Sequence, residues 1–283
     1  MPLAGERFDP AISGSPASDE VLRALFRSGR AAFTATLHEW VDLAAFGEQA
    51  RTWTSDHGWG GIGSIAGAFS DRAGTVHRVT RVSLAGDGRY RLEFLRDHRK
   101  ISPRIIVCDG TRRWREYNDR VIIGPARPLE QDSTNGRAIA RMVDTAVLLA
   151  SRVPDVAETE VGGRRGFALR AAEGPYGDAT RQLQDSDLVV DAELGIILRM
   201  VCYAGDKQAS LREFRDVAPL SADGAEFAMD VPPGIRVEEF DGGMLDDLDL
   251  PHAMRSAIRS GASAAKAAES ARDFLDSLRG PHR

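Results

Sequence analysis

The sequence predicts an α+β protein built mainly on an antiparallel β-sheet, and three observations carry that expectation. The run from Ser186 to Pro219, SDLVVDAELGIILRMVCYAGDKQASLREFRDVAP, reads as three short strands joined by tight turns. The segments 77–97 and 103–125 are apolar and rich in β-formers, and each is hinged on an Asp-Gly pair, Asp87-Gly88 and Asp109-Gly110. Asp-Gly between such segments is a strong hairpin signal, because both central residues of a type I′ turn need φ > 0. In Arg89-Tyr90-Arg91-Leu92-Glu93-Phe94 the alternation is strict, with Tyr90, Leu92 and Phe94 on one face and charges on the other, as expected for a sheet with one apolar and one wet side.

Taken in chain order, residues 1–17 are rich in Pro, Gly and Ser and predict a loose arm. From Ser18, an N-cap candidate, SDEVLRALFRSGR spaces Val21, Leu22, Leu25 and Phe26 as a helix does, with Gly29 as its C-cap. Residues 33–41, FTATLHEWV, are rich in Thr and aromatics and predict a first strand, with continuation of the helix as the alternative. The segment that holds Trp53, Trp59, Phe69 and the glycine-rich 58–67 run suits either a flap over a pocket or an irregular crossover. After the two Asp-Gly hairpins, 135–152 places Ile139, Met142, Val143, Ala146 and Leu149 on one helical stripe that would cover the apolar face. A further hairpin, 156–171, hinges on Gly162-Gly163. Val231-Pro232-Pro233 excludes a central strand over 227–239, since proline donates no ladder hydrogen bond, and predicts an edge excursion. An acidic turn follows, and 253–279 is an Ala-rich helical stretch.

At 283 residues the chain suffices for one large β-rich domain. A net charge of −5 and a pI near 5.8 argue against nucleic acid as the principal partner. Lysine occurs only at 100, 207 and 266 against many arginines, the mark of a high-GC bacterial coding bias. Cys108 and Cys202 form no CxxC or Cys/His cluster, which predicts two buried free thiols in a reducing compartment, with a cross-sheet disulfide as the alternative. No signal peptide or membrane span is evident, so the expected location is the cytoplasm.

Motifs for chemistry are few. The six histidines are isolated and show no metal-ligand spacing, and nothing implies a cofactor. Residues 61–66 match GxGxxA without the strand and helix the fingerprint needs. Gly162-Gly163-Arg164-Arg165-Gly166 is either a solvated hairpin tip or an anion cradle. His38 and Glu116 lie in aromatic, strand-like surroundings and are the weak candidates for a general acid or base. An apolar cavity on a curved sheet needs no catalytic group.

The order of helix, hairpins with a DG turn before Thr111-Arg112-Arg113-Trp114, covering helix, LVVDAELGIILRMVCY, LREFRDV and VPPG resembles the bacterial lipoprotein-carrier (LolA-like) and RseB-like superfamily over residues 18–240. The spacing Asp191-x-x-x-Gly195-x-x-x-Arg199 is its most specific part. The resemblance implies a half-open antiparallel barrel with helices on its concave face; composition sets an arm over 1–17 before it and an acidic turn and C-terminal helix over 241–283 after it, and that helix and the Gly-rich 58–67 segment depart from the family. It implies a non-catalytic protein that holds a lipid, an acyl chain or another apolar small molecule, with Tyr90, Leu92, Phe94, Trp114, Leu198 and Met200 lining the cup and Trp53 and Trp59 as a possible lid. A regulatory module that binds a protein partner, and a cofactor-free cyclase or isomerase using His38 or Glu116, are the alternatives.

Overall fold

In the computed structural model, the described residues are 18–28, 31–42, 44–45, 74–96, 103–132, 134–143, 145, 156–170, 186–204, 206–220, 225–231 and 233–239. The arm over 1–17, Trp53 and Trp59, the 58–67 segment and the stretch 253–279 lie outside them.

The chain opens with helix α1 (Ser18–Arg27) and runs through six consecutive antiparallel strands: β1 (Phe33–Asp42), β2 (Thr75–Leu84), β3 (Tyr90–Arg96), β4 (Ile105–Cys108), β5 (Arg112–Glu116) and β6 (Arg120–Pro125). A 3-10 turn (Leu129–Gln131) leads into α2 (Thr134–Val143). A second meander follows, β7 (Val156–Val161), β8 (Arg164–Arg170), β9 (Ser186–Asp191), β10 (Ile197–Ala204) and β11 (Lys207–Pro219), and then the short β12 (Arg236–Glu239). All twelve strands form one sheet in the order β12-β6-β5-β4-β3-β2-β1-β11-β10-β9-β8-β7. The second meander thus starts at the far edge and walks inward until β11 pairs antiparallel with β1, so one ladder joins the two halves. β12 pairs parallel with β6 as an edge strand, after the proline pair that keeps 231–233 out of the ladder.

The turns refine the sequence reading. At Asp87-Gly88 only the glycine has positive φ (90°); Gly88 N–H donates to Ala85 O at 3.1 Å and Ala85 N–H to Arg89 O at 2.9 Å. That is a three-residue loop closed by a glycine bulge, and not the type I′ turn expected. Asp109 likewise keeps negative φ and fastens its turn through Oδ1, which accepts the Thr111 and Arg112 amides at 2.8 and 2.7 Å. The hairpin that has φ > 0 at both central residues is the Gly162-Gly163 one, at 60° and 77°. Of the helix expected over 135–152, α2 is the described part; residues 144 and 146–152 lie outside the described residues.

One buried cluster joins Val21, Ala24 and Leu25 of α1, Ile139 and Met142 of α2, and residues from both halves of the sheet, among them Phe33, Leu37, Val82, Leu92, Ile106, Phe167, Leu188, Leu198, Met200 and Phe214. Deleting a large member of such a cluster costs ~2–5 kcal/mol.

Candidate functional site

Facing pairs in adjacent antiparallel strands lie on the same side of a sheet, so the register fixes what the apolar face contains. Leu84, Tyr90 and Cys108 face one another in sequence across β2, β3 and β4, as do Val82, Leu92 and Ile106 one step along. Leu37 of β1 faces Phe214 of β11, and Met200 of β10 faces Leu188 of β9. Tyr90, Leu92, Leu198 and Met200 belong to the buried cluster and are 1, 0, 1 and 4% exposed, and the half-buried Phe94 packs against it. These five residues are brought together.

Trp114 is not one of them. Register sets Cys108 opposite Arg113 and Ile106 opposite Arg115, so the positions of β5 that share the apolar face are two arginines; Trp114, opposite Val107 and Ile123, looks to the other side. The expectation put the largest apolar residue inward, but the number of residues in the Asp109-Gly110 turn decides the phase of the strand after it. Arg113 is accommodated by a buried network. Its Nη1 donates to Asp132 Oδ1 at 2.6 Å, and Tyr90 Oη donates to Asp132 Oδ2 at 2.9 Å, with Arg113 and Asp132 side chains each 1% exposed. Burial first, and then the Asp132 charge, hold the Tyr90 phenol protonated far above its ordinary range. Arg127 sits beside this network: burial, and then the charges of Arg113 and Arg115, hold its guanidinium below the usual arginine range.

A second polar group marks the other end of the same face. Glu39, two residues beyond Leu37 on β1, accepts from Arg212 Nε of β11 at 2.7 Å and lies 3.7 Å from Arg78 Nη1 of β2. The apolar surface is therefore bounded along the strands by charges that are themselves paired.

The cover is fastened at identifiable points. The Asp191-x-x-x-Gly195-x-x-x-Arg199 spacing now has a physical account. Asp191, fully buried, accepts the Glu193 and Leu194 amides at 2.9 and 2.7 Å and so shapes the β9–β10 turn. It also anchors Arg164, which bridges to Glu193 as well. Gly195, at φ 73°, lets the backbone of α1 approach so closely that a Cβ there would stand 1.8 Å from Ala24 O. Arg199 reaches across to Glu213 on β11. α1 is also tied to the residue stretch after α2, where Thr145 Oγ1 donates to Leu25 O at 3.0 Å and lies 2.8 Å from Ser28 Oγ.

The remaining candidates are dispersed. Arg164 and Arg165 at the Gly162-Gly163 tip are held by Asp191, Glu193, Glu20 and Glu158, which disfavours an anion cradle there. His38 and Glu116 both lie on the side of the sheet opposite the apolar face, on β1 and β5, with three strands between them. The structure does not bring them together. Cys108 is buried and Cys202 half-buried, and both are free thiols. Among the described residues there is no group of three or more His, Cys, Asp or Glu able to hold a metal, and no helix long and apolar enough to cross a membrane. Sequence reasoning missed Arg113, Asp132, Glu39 and Arg212: an arginine in an alternating strand reads as outward, and nothing local reports a partner 19 or 173 residues away.

No protein-family model and no curated protein matches the sequence. Some solved structures are similar to it. An uncharacterised conserved protein from Thermus thermophilus is similar at 11% identity over 80% of this chain and 100% of its own, with a TM-score of 0.41. MucB, solved in complex with MucA(peri), is similar at 14% identity over 75% of this chain and 60% of its own, with a TM-score of 0.38. A LolA superfamily protein from Nitrosomonas europaea is similar at 10% identity over 74% of this chain and 98% of its own, with a TM-score of 0.30. The structural neighbours include LolA-like and RseB-like proteins.

Proposed function

We propose that the chain is a non-catalytic binding protein that holds an acyl chain or another apolar small molecule against the concave face of a half-open barrel, with α1 and α2 as its displaceable cover. The observation that carries this reading is the size of the apolar face relative to the helices on it. Twelve strands at ~4.8 Å span roughly 50 Å, and an open sheet of that width coils through its twist into a trough. Among the described residues, two ten-residue helices cover it, each about 15 Å long. An apolar ligand exchanges hydrocarbon contacts with such helices for similar contacts of its own. Ten methylenes at ~0.8 kcal/mol each supply about 8 kcal/mol, a micromolar affinity before any cost of moving the cover.

Tyr90, Leu92, Phe94, Leu198 and Met200 are the residues proposed to meet the ligand. The half-buried Phe94 is the accessible edge, and the other four become available when a helix moves. The test is titration with a fluorescent 18-carbon polyene fatty acid, read by probe emission and by native mass spectrometry. Saturable one-to-one binding is expected, weakened by Phe94→Asp and Met200→Gln and unaffected by Trp114→Ala. Non-saturable uptake, or equal binding by all variants, removes the proposal.

A second reading, a regulatory module that takes a protein partner, is supported by the free edge of β7, which has a ladder on one side only among the described residues. Its test is Glu160→Pro, at a position whose amide points away from β8. That change blocks addition of a strand at β7 and leaves fatty acid binding intact.

A further inference from the structure

The side of the sheet away from the apolar core carries a ring cluster that the binding reading does not use. His38 and Trp40 alternate on β1, and His77 of β2 faces Trp40 in the register. The Trp40 and His77 rings stack at 4.5 Å between centroids and 7° between planes. His38 stacks on Trp40 at 5.5 Å and on His77 at 5.7 Å. Nδ1 of His38 is buried and has no hydrogen-bond partner among the described residues. The three rings contact one another, and the Arg215 guanidinium lies 5.5 Å from the Trp40 centroid.

The charges around the cluster are asymmetric. From β11, Glu213 faces His38 in the register, with Arg215 and Asp216 just beyond it. Glu213, 5% exposed, receives Arg215 Nε at 2.6 Å and Arg199 of β10 at 2.6 Å, so one carboxylate serves two guanidiniums. From β2, Arg81 is paired to Glu93 of β3 at 3.0 Å. Burial, then Arg215, then His77 push the His38 imidazole below its ordinary range, outweighing the opposite pull of Glu213 and Asp216.

Position gives this cluster its consequence. Among the described residues β1–β11 is the one ladder between the two meanders, and on the core side of the same strands Phe33 and Phe214 meet edge to face at 5.6 Å. We propose that the His38–Trp40–His77 stack is an acid-sensitive latch on the seam between the two halves of the sheet. With His38 neutral the rings stack and hold the seam; a protonated His38 stands beside Arg215 and His77, and the β1–β11 ladder loosens. Because the closed state binds the His38 proton less tightly than an open one, the latch is intact above about pH 6.5 and weakens as pH falls below it. The inference stands apart from what the apolar face holds.

Hydrogen–deuterium exchange of the full chain at pH 7.5 and 5.5, corrected for intrinsic rates, tests it without any ligand. Peptides over 33–42 and 207–219 are expected to exchange severalfold faster at pH 5.5, and those over 105–125 to keep their protection. In the His38→Gln/His77→Gln double variant the difference between the two pH values is expected to vanish. Arg215→Met keeps both imidazoles and is expected to move the loosening to lower pH. A pH-independent seam, a uniform rise across the whole sheet, or an unchanged response in the double variant overturns the latch.

Discussion

Replacing Gly195 by alanine tests whether α1 is held in place by the turn beneath it. The new Cβ would lie 1.8 Å from Ala24 O and 2.8 Å from Ala24 C, both backbone atoms with no rotamer to swing away. Moving the oxygen to 3.0 Å takes about 1.2 Å of retreat, and α1 moves as a rigid helix. Two costs follow. Holding a non-glycine residue at φ 73° costs roughly 1–2 kcal/mol on its own. If α1 then lifts, Val21 and Leu25, now 7 and 4% exposed, each forfeit ~1.5–3 kcal/mol of burial. The expected loss is therefore at least about 1–2 kcal/mol for a strained but seated helix, and ~4–8 kcal/mol if it detaches. Urea unfolding gives the total, and the Leu25→Ala/Gly195→Ala double variant separates the cases. In the wild-type background Leu25→Ala should cost ~2–5 kcal/mol, and in the Gly195→Ala background far less, because a released helix has nothing left to lose. A Gly195→Ala protein within about 0.5 kcal/mol of wild type would refute the claim that this turn seats α1.

Asp132→Ala leaves Arg113 buried without its counter-charge and is expected to cost ~3–5 kcal/mol in urea unfolding, whereas Tyr90→Phe, which removes one hydrogen bond, should cost only ~0.5–1.5 kcal/mol. The raised Tyr90 phenol makes a prediction at alkaline pH. The unfolded phenol ionises near pH 10 and the folded one does not, so this group favours the fold fully below that pH and the advantage is lost as pH rises beyond it. Tyr90→Phe should therefore leave the phenolate absorbance of the folded chain unchanged and remove one tyrosine's worth of it from the unfolded chain. Asp216, at φ 53° in β11, is the one non-glycine residue of positive φ among those described. Asp216→Gly should therefore be neutral or stabilising by up to about 1 kcal/mol, and Asp216→Val destabilising, both read from the urea midpoint.

What could be read from the sequence was whatever has a short range. Alternation in 89–94, the glycine hinges at 88, 110 and 162–163, and the proline pair at 232–233 each act within a few residues, and the strands at those places are the ones observed. Trp114 shows where that range ends. Its strand was evident, but its phase depended on how many residues the preceding turn consumed, and composition pointed the wrong way. The joining of β1 to β11 and the burial of Arg113 by Asp132 arise from chain closure over long separations, for which periodicity carries no signal. For the candidate site, five of the six chosen side chains were assignable to one face because each lies on a strand whose partners alternate as it does.

The two helices are fastened so that neither leaves alone. Thr145 bonds both to Leu25 O and to Ser28 Oγ at the end of α1, and it follows α2 by two residues. Asp132, just before α2, is held by Tyr90 and Arg113 from the sheet. A displacement of α1 would therefore break the Thr145 bonds near the C-terminal end of α2 and leave the Asp132 bonds near its N-terminal end untouched. Buried hydrogen bonds left unmade cost ~1–3 kcal/mol per group, which makes a half-open cover less favourable than either a closed one or one opened far enough for water or ligand to replace those bonds. Under the proposed binding function, two-position behaviour of this kind would make the occupied and empty forms differ enough for something else to read them.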